Sequence, residues 1–66
     1  MDELEKLKSL LRHWMEHNNE HVQLYRDWAE KVSPIGNREL CEILRRLSNE
    51  AEKLNRLFEE AIKMIG

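Results

Sequence analysis

Apolar residues recur along this chain at alternating steps of three and four, and the repeat breaks only once. Before the break, Leu4, Leu7, Leu11, Trp14, Asn18, His21, Tyr25, Trp28 and Val32 follow one heptad, flanked by Leu10, Met15, Val22, Leu24 and Ala29. After it, Leu40, Ile43, Leu47, Glu50, Leu54, Leu57, Ala61 and Met64 keep the same spacing, widened by Leu44, Ala51, Phe58 and Ile65. Such steps hold side chains on one side of an α-helix. The pattern therefore predicts an all-α chain with helices over about 3–32 and about 38–65. The break, Ser33-Pro34-Ile35-Gly36-Asn37, gathers the residues that stop helices and make turns. Asp2 is the expected N-cap of the first helix, with Glu3 and Glu5 favourable in its first turn, and Asn37 that of the second. Ser33 with Pro34 at the first helical position is a competing start, which Gly36 in the first turn disfavours. A connection this short joins antiparallel neighbours.

The width of the stripes carries the architecture further. A narrow two-position seam suits a two-stranded coiled coil, whereas these stripes are broad enough to touch more than one neighbour. Two helices cannot cover each other that far. The expectation is an antiparallel two-helix hairpin that dimerises into a four-helix bundle.

Both stripes turn polar at the same height. Asn18 and His21 occupy core positions of the first helix with His17 on the flank, and Glu50 interrupts the second beside Ala51. Folding at residue 35 sets His17 opposite Lys53 and His21 opposite Asn49, with Glu50 between those levels. Buried without partners, an imidazole or amide costs about 1–3 kcal/mol, and a carboxylate costs more. One solution is a metal. Histidines four apart share a helix face and converge on one cation, and His13, His17 and His21 form such a row. The expected ligands are His17, His21 and Glu50, with His13, Glu20 or a residue of a second chain as further candidates. Two imidazoles and a carboxylate suit zinc or nickel, and also iron or copper. The second solution is a structural layer in which His21 bonds Glu50 and Asn18 pairs with its symmetry mate, fixing register without a cofactor. The third is a proton switch formed by histidines clustered near a dimer axis.

The stretch His13-Trp14-Met15-Glu16-His17-Asn18-Asn19-Glu20-His21, followed by Tyr25 and Trp28-Ala29, resembles a family of small prokaryotic helical domains with an H-W-x-x-H-N-x-x-H pattern. The resemblance extends over most of the chain, including the second amphipathic helix. Some members of that family accompany His-rich or metal-handling proteins, so the resemblance implies a place in metal homeostasis. It singles out His13, Trp14, His17, Asn18, His21 and Trp28.

Composition narrows the rest. Sixty-six residues make one domain, residues 1–66, too short to bury a large core alone. Cys41 is the single cysteine, so no intrachain disulfide supplements that core. It is expected on the outer side of the second helix, as a free surface or rim thiol. A net charge of −2 and a pI near 5.9 give no basic footprint for nucleic acid. The acidic start lacks the apolar core of a signal peptide, and no run approaches the ~20 apolar residues that span a bilayer. The expectation is a soluble, cytoplasmic protein. No glycine-rich phosphate loop or serine nucleophile with a base is visible, so no enzyme activity is assigned. Trp14, Tyr25 and Trp28 are expected to pack in the core. The leading functional expectation is a metal-binding protein with a sensing, carrying or accessory role. The other is a protein-interaction module, with a second copy or an unidentified protein as partner, whose histidine layer is structural.

Overall fold

The computed structural model describes residues 2–66 as an antiparallel helical hairpin. Helix α1 runs Glu3–Val32, a 3-10 turn covers Ser33–Ile35, and helix α2 runs Arg38–Ile65. The caps account for where the helices begin. Asp2 Oδ1 accepts from the Glu5 amide at 2.8 Å, and Asn37 Oδ1 accepts from the Leu40 amide at 3.1 Å. Each satisfies an amide that the first helical turn leaves without a partner. Pro34 lies in the 3-10 turn, where its missing N–H costs nothing, and Gly36 reverses the chain at φ 91°, which an L side chain resists. Among the described residues, no helix is long and apolar enough to cross a membrane.

The seam between the helices is narrower than the stripes and differently phased. On α1 it is made by Leu11, Met15, Asn18, Val22, Tyr25, Ala29 and Val32, all buried or half-buried. On α2 it is made by Cys41, Leu44, Ser48, Ala51, Asn55, Phe58, Ile62 and Ile65. The α2 row lies one residue beyond the Leu40–Met64 row that hydropathy favours, which corrects the expected core of this helix. The reason is steric. Small residues (Ala29, Cys41, Ser48, Ala51) let the backbones approach, and polar side chains then reach carbonyls of the opposite helix. Ser48 Oγ donates to Val22 O at 3.0 Å, Cys41 Sγ to Ala29 O at 3.4 Å, and Asn18 Nδ2 to Ala51 O at 2.6 Å. Cys41 is therefore buried, at 5% exposure, and the expected surface thiol is corrected. Its position opposite residue 29 is as the fold at residue 35 requires.

Many other large apolar side chains lie outside the seam. Leu7, Leu10, Trp14, Leu24 and Trp28 of α1 remain exposed, as do Leu40, Ile43, Leu47, Leu54, Leu57 and Met64 of α2. Each of these sits one residue before a seam residue or its heptad equivalent. A step of one residue turns about 100° around a right-handed helix. The helices run in opposite directions, so that step carries both rows to the same side of the hairpin. The molecule is one layer of helices, 51 × 15 × 11 Å across its Cα atoms, with one apolar face. The opposite face is polar, built from residues such as Arg12, Gln23, Arg26, Arg45, Glu52 and Glu59. There Arg26 donates to Glu52 at 2.6 Å, an exposed pair worth about 0.2–1 kcal/mol. Trp14 and Trp28, expected inside, belong to the open apolar face, and the Lys31 ammonium rests 4.6 Å from the Trp28 ring centre.

Candidate functional site

The polar residues singled out by sequence divide between the hairpin seam and the open face. Asn18 turns into the hairpin. It donates to Ala51 O, and to Asn55 Oδ1 at 3.0 Å, while Asn55 donates onward to Asn19 Oδ1 at 2.6 Å. Both Asn18 bonds run to α2 of the same chain. Both partners sit on the opposite helix at the level of residues 51–55, so Asn18 fixes the register of the hairpin. Replacing Asn18 with Ala removes both bonds and leaves the Ala51 carbonyl with its intrahelical bond alone. The expected loss is about 1–3 kcal/mol, read as a lower urea midpoint with an unchanged slope.

The histidines turn the other way. His13, His17 and His21 are all exposed and stack as a ladder along α1. Ring centres are 4.8 Å apart between His13 and His17 and 6.2 Å between His17 and His21, and Tyr25 extends the ladder 6.0 Å beyond His21. The heptad phase puts His21 in the Leu7–Trp14–Trp28 row of the open face, beside the groove between the helices. His17 is on the outer shoulder with Leu10 and Leu24, and His13 lies beyond that shoulder. Together with Trp14, Asn18 and Phe58 the three rings line a shallow hollow.

Glu50 shares their level but not their hollow. The bonds Ser48–Val22 and Asn18–Ala51 set residue 50 opposite residues 19–21. Glu50 nevertheless occupies the far shoulder, beside Ile43, Arg46 and Leu47, and its carboxylate takes the Lys53 ammonium at 3.1 Å. With side chains 71% and 69% exposed, that pair is weak. Glu20 is exposed on α1, beyond the shoulder that His17 occupies. Among the described residues, no three of His, Cys, Asp and Glu are gathered where a metal could sit. One chain thus offers an i, i+4 imidazole pair and, on the other shoulder of the same face, a carboxylate at the same height. Residues that the expectation passed over are the small seam residues Ser48 and Asn55. The signal for them was a second heptad, one residue on from the hydrophobic one.

The fold is a two-helix hairpin with one apolar face carrying a central polar layer, and the comparisons give it a family. The chain belongs to the family described as "Domain of unknown function (DUF8180)", which matches residues 7–65. It is 35% identical over 66 residues to a protein of Archaeoglobus fulgidus named "Uncharacterized protein", an alignment covering 96% of this chain and 100% of the relative. No solved structure matches the chain.

Proposed function

We propose that this chain is a self-association module: its open face closes on a second copy, and two hairpins complete a four-helix bundle. The observation that carries the reading is the apolar ladder itself. Paired by level, it runs Leu7 with Met64, Leu10 with Ala61, Trp14 with Leu57, Leu24 with Leu47 and Trp28 with Ile43, interrupted only by His17, His21 and Glu50 at its centre. The single chain exposes 5443 Å². A compact monomer of its 8.0 kDa mass exposes roughly 4450 Å². The excess of about 1000 Å² is close to the ~800 Å² that each partner buries in a stable interface.

Charges along the rim favour one of the two symmetric ways to close the face. With both turns at the same end, α1 of each copy lies against α2 of the other at unchanged levels. The residues flanking the apolar ladder then meet as opposites: Glu20 with the partner's Lys53 and Asp27 with the partner's Arg46. With the turns at opposite ends, Glu20 meets its own symmetry mate and so does Lys53. Like charges directly opposed are destabilising, so the arrangement with turns together is the one proposed. A contribution of the second copy to core burial also suits a 66-residue chain whose hairpin interior holds few fully buried side chains. Sedimentation equilibrium at micromolar concentration tests the reading. The expected mass is that of two chains of 8.0 kDa. A single-chain mass across that range, with helicity retained, would remove it.

A further inference from the structure

We infer that closure of the open face assembles two divalent transition-metal sites, each made of His17 and His21 from one copy and the partner's Glu50. This rests on the self-association reading above, because one chain does not bring the three groups together. It adds a ligand, a stoichiometry and a place.

The imidazole pair comes first. Two rings bound to one ion through bonds of about 2.0–2.1 Å keep their centres roughly 5–6 Å apart. His17 and His21, at 6.2 Å, need only a small rotamer change to reach that spacing. Both belong to the open face, whereas His13 lies beyond its edge, so the pair that a second copy covers is 17 and 21.

The third ligand follows from level and symmetry. Glu50 sits at the height of residues 19–21 within its own chain, as the seam hydrogen bonds require. A twofold axis parallel to the helices preserves height while exchanging α1 for α2 across the interface. The partner's Glu50 therefore comes to face His21, with His17 one turn away on the same ridge. In the single hairpin the Glu50 carboxylate accepts from the Lys53 ammonium. On closure the partner's Lys53 meets Glu20, which frees the carboxylate to face the imidazoles. Two nitrogens and one carboxylate oxygen are a common donor set for zinc, and one that nickel also accepts. Within the bundle such a site also answers the cost of enclosing Glu50 in an otherwise apolar ladder.

The test uses the full chain, freed of any affinity tag, with zinc chloride and nickel chloride as probes. Equilibrium dialysis followed by elemental analysis should give one zinc per chain, two per dimer. The double variant His17→Ala/His21→Ala and the single variant Glu50→Gln should each weaken zinc binding at least tenfold while sedimenting as dimers. The deciding experiment mixes these two variants after unfolding and refolding together. A mixed dimer unites the histidines of one chain with the Glu50 of the other, so mixing should restore tight binding to one site in each mixed dimer. No recovery on mixing, or no zinc retained by the wild-type dimer, would overturn the proposal while leaving self-association intact. A single-chain mass for the wild type would instead remove the reading beneath it.

Discussion

The double variant Leu24→Glu/Leu47→Glu should sediment as a single chain at concentrations where the wild type is a dimer. Leu24 and Leu47 lie at one level of the apolar face, 48% and 46% exposed in the single hairpin. In the proposed bundle, Leu24 of each copy packs on the partner's Leu47. Complete burial of a leucine is worth about 1.5–3 kcal/mol, and roughly half of that is gained only on association. Four such side chains in a dimer therefore supply roughly 4 kcal/mol, about three orders of magnitude in Kd. The substitutions also set four carboxylates in one layer, which adds repulsion and desolvation to the lost contact. Neither residue belongs to the hairpin seam, so each hairpin keeps its internal bonds. Helicity should fall nonetheless, because a chain of this size loses part of its core with its partner. If the variant keeps the wild-type mass and melting temperature, the apolar face is not an interface.

The ends of both helices were legible because capping is local chemistry: Asp2 and Asn37 bond amides three residues on. The breadth of the stripes was legible too, and it correctly implied that each helix has more apolar surface than one neighbour can cover. What hydropathy could not resolve was the division of that breadth into a hairpin seam and an open face. The larger side chains, Trp14, Leu47 and Leu54, dominate any reading by apolar content, yet they form the face left open. The seam that holds the hairpin together runs through Ala29, Cys41, Ser48, Ala51, Asn18 and Asn55. Beside the apolar contacts of Leu11, Val22, Leu44, Phe58 and Ile62, it depends on backbone approach and on hydrogen bonds to opposite carbonyls, and neither of these scales with hydrophobicity.

The same division decides the fate of the polar layer. Read as one core, the chain gathers Asn18, His21 and Glu50 at one height. In three dimensions that height is shared, but Asn18 belongs to the inner seam while the histidines and Glu50 belong to the outer face. A one-residue step along each helix separates a register-setting amide from a candidate ligand set. Height was recoverable from sequence because it needs only a fold point and a rise per residue. Azimuth was not, because it depends on which of two adjacent heptads forms the hairpin seam.

Ala29→Leu should be the most damaging single substitution inside the hairpin, although it raises apolar content at a buried position. Ala29 is 1% exposed, and its carbonyl accepts the Cys41 thiol at 3.4 Å. Three added carbons find no free volume there, so the helices must separate or the side chain must leave its rotamer, at a cost of about 1–3 kcal/mol. Separation also stretches the neighbouring bond from Ser48 Oγ to Val22 O. Ser48 is itself 1% exposed, and a buried hydroxyl without a partner costs about a further 1–3 kcal/mol. A domain of this length has a total stability of roughly 3–10 kcal/mol, so the substitution removes a large share of it. At about 4–8 °C per kcal/mol for a small domain, the fall in melting temperature should be large. Gln23→Leu on the polar face adds apolar bulk without touching the seam, and should shift stability by no more than about 0.5 kcal/mol. If hydrophobic content rather than close approach held the hairpin, Ala29→Leu would melt at or above the wild type. That result would contradict the small-residue seam on which the register of Glu50 against His21 depends.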